Sequence, residues 1–416
     1  MRLKCALFIG TIFCVTISTV GPTKAPVECR AEFVAEFRGC ACANAVAISN
    51  NNTGSVGSET TASVQVRCQA LGVSALQNLN NIFVNDKQTR PLITAFSATA
   101  GRLESVGQDA FRDEPLERLD LSCNAIDSVN VNAFRGLENK LKYLDLHGNE
   151  FSAVPQWALT YLRALVYLNL RENGVEFLAP RTFAETQLNN LRYLHMDRNQ
   201  IRDVPSQVLR SLSSLQVLSL AGNRIEAMGE LSMPDSLWFL DLKSNKLTEI
   251  PYLALKGLNR LGVLDLENNN ITLIAPHASV RLADVVELDL LVASNRIREL
   301  EVGAFDSFGA FRRLDLSYNQ IRAISGAAFR ALKCLRNLDL SYNFVAEIPE
   351  QTFVNVADSL EALSLKENRL REAPAALRPL RALHQLNLDN NQLTRYTSYS
   401  ELTLDLPYYQ PDEKVL

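Results

Sequence analysis

Positive charge is not in excess in this sequence: 42 Lys and Arg face 46 Asp and Glu, for a net charge of -4. That argues against counterion-release binding of nucleic acid and against polybasic attraction to anionic lipid. Histidine is scarce, and none of the four, His147, His195, His277 and His384, sits in an HExxH or other paired metal spacing. No GxSxG elbow and no glycine loop for phosphate occurs. The chain is therefore read as a non-enzyme with no cofactor and no metal. No stretch rich in Pro, Gly or Ser divides the 416 residues into separate globular pieces, which suits one elongated array. Past the first twenty residues no apolar run approaches the roughly 20 residues of a membrane span. The last residues, Pro-Asp-Glu-Lys-Val-Leu, lack the hydrophobic tail of a lipid-anchor signal.

The single long apolar run stands at the start. Arg2 and Lys4 precede it and it extends from Cys5 to about Val20, the layout of a secretory signal. Residues 1–25 are expected to be removed, leaving a freely secreted, extracellular protein without a membrane span.

What fills the rest is a repeat of about 24 residues. Its clearest copy is Leu335-Arg-Asn-Leu338-Asp-Leu340-Ser-Tyr-Asn343-Phe-Val345, or LxxLxLxxNxL. The asparagine returns at Asn124, Asn149, Asn173, Asn199, Asn223, Asn245, Asn269, Asn295, Asn319, Asn343, Asn368 and Asn391, which makes twelve copies. In Leu338-Asp-Leu340 the apolar residues alternate as a half-buried strand requires, once per turn of the chain, so stacked copies build one parallel sheet. An asparagine amide both donates and accepts, and a buried column of them is able to satisfy turn backbone in neighbouring copies. The return half is patterned too: Ile126, Val129, Phe134 and Leu137 match Ile321, Ile324, Phe329 and Leu332. Pro155, Pro205, Pro251, Pro349 and Pro374 recur there and favour extended segments over full helices.

With LxxLxLxxNxLxxIxxxxFxxLxx written out, the chain resembles the typical, 24-residue class of animal extracellular leucine-rich-repeat proteins. The resemblance implies an α/β repeat solenoid: a horseshoe with a concave parallel β-sheet, a mostly irregular or short-helical convex side, and ligand binding on the concave face or rims. Residues 91–395 hold one degenerate repeat, with Gly101 where Asn is expected, and twelve regular ones. Residues 26–90 form a cysteine cap with an exposed polar loop, and 396–416 a tail or improvised cap without the family's C-terminal cysteines. Cys29, Cys40, Cys42 and Cys68 allow three pairings; the family's cap implies Cys29 with Cys42 and Cys40 with Cys68. Two sequons, at Asn51 and Asn270, mark glycosylation sites.

Cys123 and Cys334 lie nine repeats apart, roughly 40 Å at about 4.8 Å per strand, and cannot bond to each other. They are read as buried thiols, or Cys123 as the link of a homodimer. His147 and His195 are two repeats apart and do not share a metal. In Leu290-Leu-Val-Ala-Ser-Asn295 the residues Leu291 and Val292 look inserted, which predicts a bulge at the strand's exit.

Residues flanking the inward leucines point to the concave side. Tyr143, Tyr167, Tyr193 and Phe239 recur there in one column with Trp238 beside them, bordered by Arg171, Arg192, Arg198 and His195, the composition of a protein-binding hot spot. A second, weaker group is Arg312, Arg313, Tyr318, Arg336 and Tyr342. The chain is expected to recognise an extracellular protein ligand or receptor, in the manner of an adhesion, guidance or innate-immune molecule. A matrix-associated structural protein, or a receptor ectodomain, is the alternative.

Overall fold

The structure is a computed structural model that describes residues 40–47, 62–69, 75–76 and 92–394, except 113, 279, 281 and 283–286, with backbone alone before residue 94. The signal, Cys29, the Asn51 sequon and residues 396–416 lie outside the described residues. These fall in two compact units: the first runs to Val175 and includes Glu185–His195, and the second comprises Glu176–Ala184 and continues from Met196.

In the first unit the sheet runs through Cys40–Ala47, Ala62–Gln69, Leu92–Thr99, Arg118–Asp120, Tyr143–Asp145, Tyr167–Asn169 and Tyr193–His195. Its first pair is antiparallel, with Cys40 opposite Cys68, and all later pairs are parallel. The second unit holds eight parallel strands from Val217–Ser219 to Gln385–Asn387. This is the expected leucine-rich-repeat solenoid. Strands are short because each turn of the chain contributes one Leu-x-Leu whose two leucines face inward; Leu144, Leu146, Leu168 and Leu170 are fully buried. Behind them phenylalanines stack from turn to turn, Phe111 on Phe134 at 6.0 Å and Phe329 on Phe305 and Phe353 at 5.8 and 5.9 Å.

The return side is partly extended, with Asp203–Val204 beside Ala227–Met228 and Glu299–Leu300 beside Ala323–Ile324. The prolines do more than keep it extended. Pro155 and Pro251 cap the one-turn helices Gln156–Leu159 and Tyr252–Leu255, and Pro374 precedes the 3-10 turn Ala375–Leu377. The ring presets φ for a first helical turn and has no N–H to lose there. Among the described residues no helix is long and apolar enough to cross a membrane.

The asparagines form the expected ladder. Asn245 donates through Nδ2 to the carbonyls of Leu220, one turn earlier, and Leu242, both at 3.0 Å, and its Oδ1 accepts the Ile225 N–H at 3.0 Å. The degenerate first repeat keeps the pattern although Gly101 replaces its asparagine. Asn124 reaches back to the Ala98 carbonyl at 2.7 Å, and its Oδ1 accepts the N–H groups of Gly101 and Leu103. The residue before each ladder asparagine adopts the left-handed conformation, with φ from 52° to 56° at Cys123, Glu172, Arg198, Ser244, Asn268, Ser294, Tyr318, Tyr342, Glu367 and Asn390. Glycine fills this position only at Gly148 and Gly222, so side chains are presented at a costly backbone conformation.

The expected exit bulge is not where Leu291 and Val292 placed it. In register, Leu290 pairs with Leu264 and Leu291 with Asp265, and Val292 is fully buried. Leu290 and Val292 are therefore the two inward residues of a regular Leu-x-Val. The irregularity is at the strand's entrance: Leu288 pairs with Phe311 but Asp289 with Arg313, so Arg312 is looped out. Leu288 is buried as well. Burying it two residues before Leu290, rather than three, forces the neighbour to bulge.

The ladder predicts a graded effect. Asn245→Ala should cost about 1–3 kcal/mol, because it strands buried backbone groups, whereas Asn391→Ala, at the half-buried end, should cost distinctly less, since water reaches its partners. Chemical denaturation of the two variants measures this, and equal losses would contradict it.

Candidate functional site

In the first unit the face opposite the leucine core is built by register. Tyr143, Tyr167 and Tyr193 each precede the first inward leucine of their strand and pair directly with one another. The Tyr143 and Tyr167 rings stack at 4.3 Å with 4° between their planes. Tyr193 tilts against Tyr167 at 6.4 Å, and the His195 ring lies 5.3 Å from Tyr167. Arg118, which occupies the same column one turn earlier, holds its guanidinium carbon 3.7 Å above the Tyr143 ring.

The column between the two inward leucines carries the acids. Asp120, Asp145, Asp241, Asp265, Asp315 and Asp339 each accept the backbone N–H two residues on. These are Asx turns that shape the strand exit, and they give the repeated aspartates a structural role. Asp145 does more: its Oδ1 also accepts from His147 Nδ1 at 2.7 Å, and its Oδ2 from the Tyr143 hydroxyl at 3.2 Å and Asn169 Nδ2 at 3.3 Å. Burial works to raise this carboxyl, but the bonds from His147 and Asn169 outweigh it and hold it below the usual range. The same bond raises His147, against its own burial. Burial, reinforced by Asp145, pushes the Tyr143 phenol far up. Beyond His147, the Cys123 sulfur lies 3.6 Å from Nε2.

Of the expected site residues, the structure brings Tyr143, Tyr193 and His195 each against the Tyr167 ring. Arg171 stands at the strand exit, paired with Glu172 at 3.3 Å, and its buried Nε has no acceptor among the described residues. Arg192 is exposed, beside Tyr193 in the chain. Trp238, Phe239 and Arg198 lie in the second unit. Phe239 is flanked in register by Val217 and Val263, so the ring column is not continued there, and Trp238 lies over Gly262 with its ring 6.4 Å from that of Phe239. Asn270 is half-buried. Cys123 is half-buried and Cys334 exposed, so the expectation of buried thiols is corrected. Both follow from position: Cys123 stands on the left-handed exit turn, and Cys334 precedes the inward Leu335.

The second expected group is largely neutralised. Arg312 and Arg313 pair with Asp289 and Asp315, and Arg336 with Glu361 at 3.9 Å. Tyr318 and Tyr342 stack at 4.2 Å on the left-handed turns. A shallow recess of about 350 Å³, lined by Arg313, Asn337, Asp339, Ser364, His384 and Gln385, carries no Phe, Tyr or Trp. Among the described residues no group of three or more His, Cys, Asp and Glu is arranged to hold a metal.

Arg118, Asp145 and the Cys123–His147 contact were missed by reading the sequence for motifs. Counting repeats would have found the last: Cys123 precedes His147 by 24 residues, one turn of the solenoid, which brings exit positions of adjacent turns together.

Comparison with known proteins comes to the same architecture. The family model described as leucine rich repeat matches residues 99–151, 139–201, 163–225, 189–247, 235–291, 290–345 and 335–393. The chain is similar to leucine-rich repeat-containing protein 3 of Danio rerio, 36% identical over 72 residues, which is 17% of this chain and only 27% of that protein. Among solved structures it resembles the TLR13–ssRNA13 complex, with a TM-score of 0.64 and 21% identity over 80% of this chain and 51% of that one. It also resembles a chain of the octameric complex of Latrophilin 3, Unc5D and FLRT2 (LRR), with a TM-score of 0.54 and 22% identity over 65% of this chain and 82% of that one.

The acid column yields a pH prediction in the second unit. Burial, reinforced by Asp241 directly opposite it in register, pushes Asp265 up to about 6 from 3.8. A carboxyl raised in the folded state favours folding only while protonated. Stability is therefore lost as pH rises from the unfolded value through about 6, and the penalty is complete above it. Asp265→Asn, which keeps an acceptor for the Glu267 N–H, should raise the urea midpoint at pH of about 8 and change little at about pH 4. An identical effect at both values would contradict the electrostatic origin.

Proposed function

The chain belongs to the leucine-rich-repeat family, and on that premise we propose that it is a secreted, extracellular recognition module that binds a protein ligand or receptor through the open face of its sheet. One observation carries the reading: the stacked Tyr143–Tyr167 pair, extended by Tyr193 and His195, on the face opposite the core. Large rigid rings with polar tips lose little side-chain entropy on binding and bury much apolar area. Arg118 above the stack adds donors without making the face strongly basic.

The TLR13 structure holds RNA, but the open face of the second unit is lined by Asp241, Asp265, Asp315 and Asp339, with Lys243, Arg312 and Arg313 tied to acids. A phosphate backbone would meet mainly negative charge there. Leucine-rich repeats serve typically as non-enzymatic interaction modules, and a non-catalytic role fits the structural use of the aspartates.

Secretion rests on Arg2, Lys4 and the apolar run after them. The antiparallel register of Cys40 with Cys68 supports their pairing within an N-terminal cap, since directly opposed strand residues lie within disulfide reach. The resemblance to the family's cap implies Cys29 with Cys42. Peptide mapping of the non-reduced, secreted protein should return these two bonds, a mature start near residue 26 and glycan at Asn51 and Asn270. Retention in the cell with four free cap thiols would refute the assignment.

The binding reading is tested by capturing partners on the secreted chain and measuring the affinity of each against Tyr167→Ala/Tyr193→Ala. The double variant should weaken binding by about 2 kcal/mol or more, roughly thirtyfold in Kd. It should cost only about 1 kcal/mol of stability, the worth of the lost stacking. Leu168→Ala, which empties a fully buried inward position on the same strand, should instead destabilise by about 2–5 kcal/mol. Full affinity in the double variant would move the binding site elsewhere.

A further inference from the structure

We propose that Cys123, His147 and Asp145 form a thiol-exchange site, in which Cys123 is the nucleophile, His147 takes its proton, and disulfide-bearing molecules are captured as mixed disulfides. The three groups come from two adjacent turns of the solenoid. Cys123 occupies the left-handed exit position, φ 55°, at the end of the strand. It is half-buried. His147 Nε2 lies 3.6 Å from its sulfur, and His147 Nδ1 lies 2.7 Å from Asp145 Oδ1.

The direction of proton flow follows from the partners. An ionised carboxylate only accepts hydrogen bonds, so Nδ1 carries the hydrogen and Nε2 presents its lone pair to the thiol. Asp145 is fixed independently of solvent by the His147 N–H, the Tyr143 hydroxyl and the Asn169 amide. It therefore both orients the ring and stabilises the imidazolium that forms. Asp120 on the preceding turn and Glu172 on the following one also favour the charged ring. An imidazolium beside sulfur is the arrangement that populates thiolate at neutral pH.

In the reaction the Cys123 thiolate attacks one sulfur of a disulfide R–S–S–R. A new bond to Sγ forms as the old S–S bond breaks, and its electron pair leaves on the departing thiolate, which takes up the proton held by His147. Atoms and electrons balance without another oxidant. The step needs no oxyanion pocket, only an accessible thiolate and a base. A small-molecule disulfide and a disulfide-linked second copy of this chain share this chemistry. The site shares only the Tyr143 hydroxyl with the recognition face, and Tyr167→Ala/Tyr193→Ala leaves that residue in place, so its failure and the failure of the binding reading are separable.

The exposed Cys334 is an internal comparison within the same folded chain. The native protein is treated with oxidised glutathione across a pH series, quenched in acid, and adducts at the two cysteines are quantified by peptide mass spectrometry. Cys123 should react at least about tenfold faster than Cys334 at roughly pH 6.5, with a midpoint clearly below the ordinary thiol value of about 8.5. His147→Gln should remove that advantage, and Asp145→Asn, which still accepts a bond but carries no charge, should move the midpoint back toward the ordinary value. Adducts of monomer mass identify a small disulfide as the source. A dimer on non-reducing electrophoresis that disappears in Cys123→Ser identifies a second copy. Cys123 and Cys334 reacting at the same rate and midpoint in the unaltered protein, or a rate at Cys123 indifferent to His147→Gln, would overturn the proposal.

Discussion

The buried asparagine amide is the interaction on which the rest depends. A strand of three residues cannot hold a long sheet together by its own ladder, and each strand exit leaves carbonyls pointing into the stack. The amide of Asn245 answers a carbonyl of its own turn and one of the turn before, and accepts an N–H from that earlier turn. It locks successive turns at a fixed offset. Because that offset is the same at Asn149, Asn269, Asn343 and Asn368, equivalent positions on the open face fall into columns. Tyr143 meets Tyr167, and Asp241 meets Asp265, as a result of what happens behind the sheet.

The columns carry both structure and reactivity. An aspartate between the inward leucines is needed to cap the exit turn, so acids line up along the second unit whether or not they have a function, and burial, reinforced by the neighbouring Asp241, pushes Asp265 up to about 6. The same aspartate becomes something different at Asp145, where a histidine follows two residues later and a cysteine precedes it by one turn. The left-handed exit residue is the other half of this economy. A conformation that disfavours side chains carries Cys123, Tyr318 and Tyr342 at the strand's end.

The repeat period, the inward leucines, the ladder and the phenylalanines behind it were all legible, because each is a local residue type recurring at constant spacing and each answers one local physical need. The tyrosine column was legible for the same reason. The Leu291–Val292 irregularity was misread: pattern matching chose Leu288 and Leu290 as the inward pair, whereas burial favoured Leu290 and Val292 and pushed the mismatch onto Arg312 in the next strand. One sequence allows both readings, and only the packing of Leu288 against Phe311's position selects between them.

Sequence by itself thus determined the architecture, since a hydrophobic period of 24 residues with a buried amide in each copy has one economical way to stack. Tertiary structure decided which side chains on that scaffold meet. Cys123, His147 and Asp145, or Arg118 and Tyr143, are unremarkable residues one turn apart along the chain. Their distances are set by the rise between turns and by rotamers that the neighbouring turns permit, and those are properties of the stacked turns, absent from any single repeat.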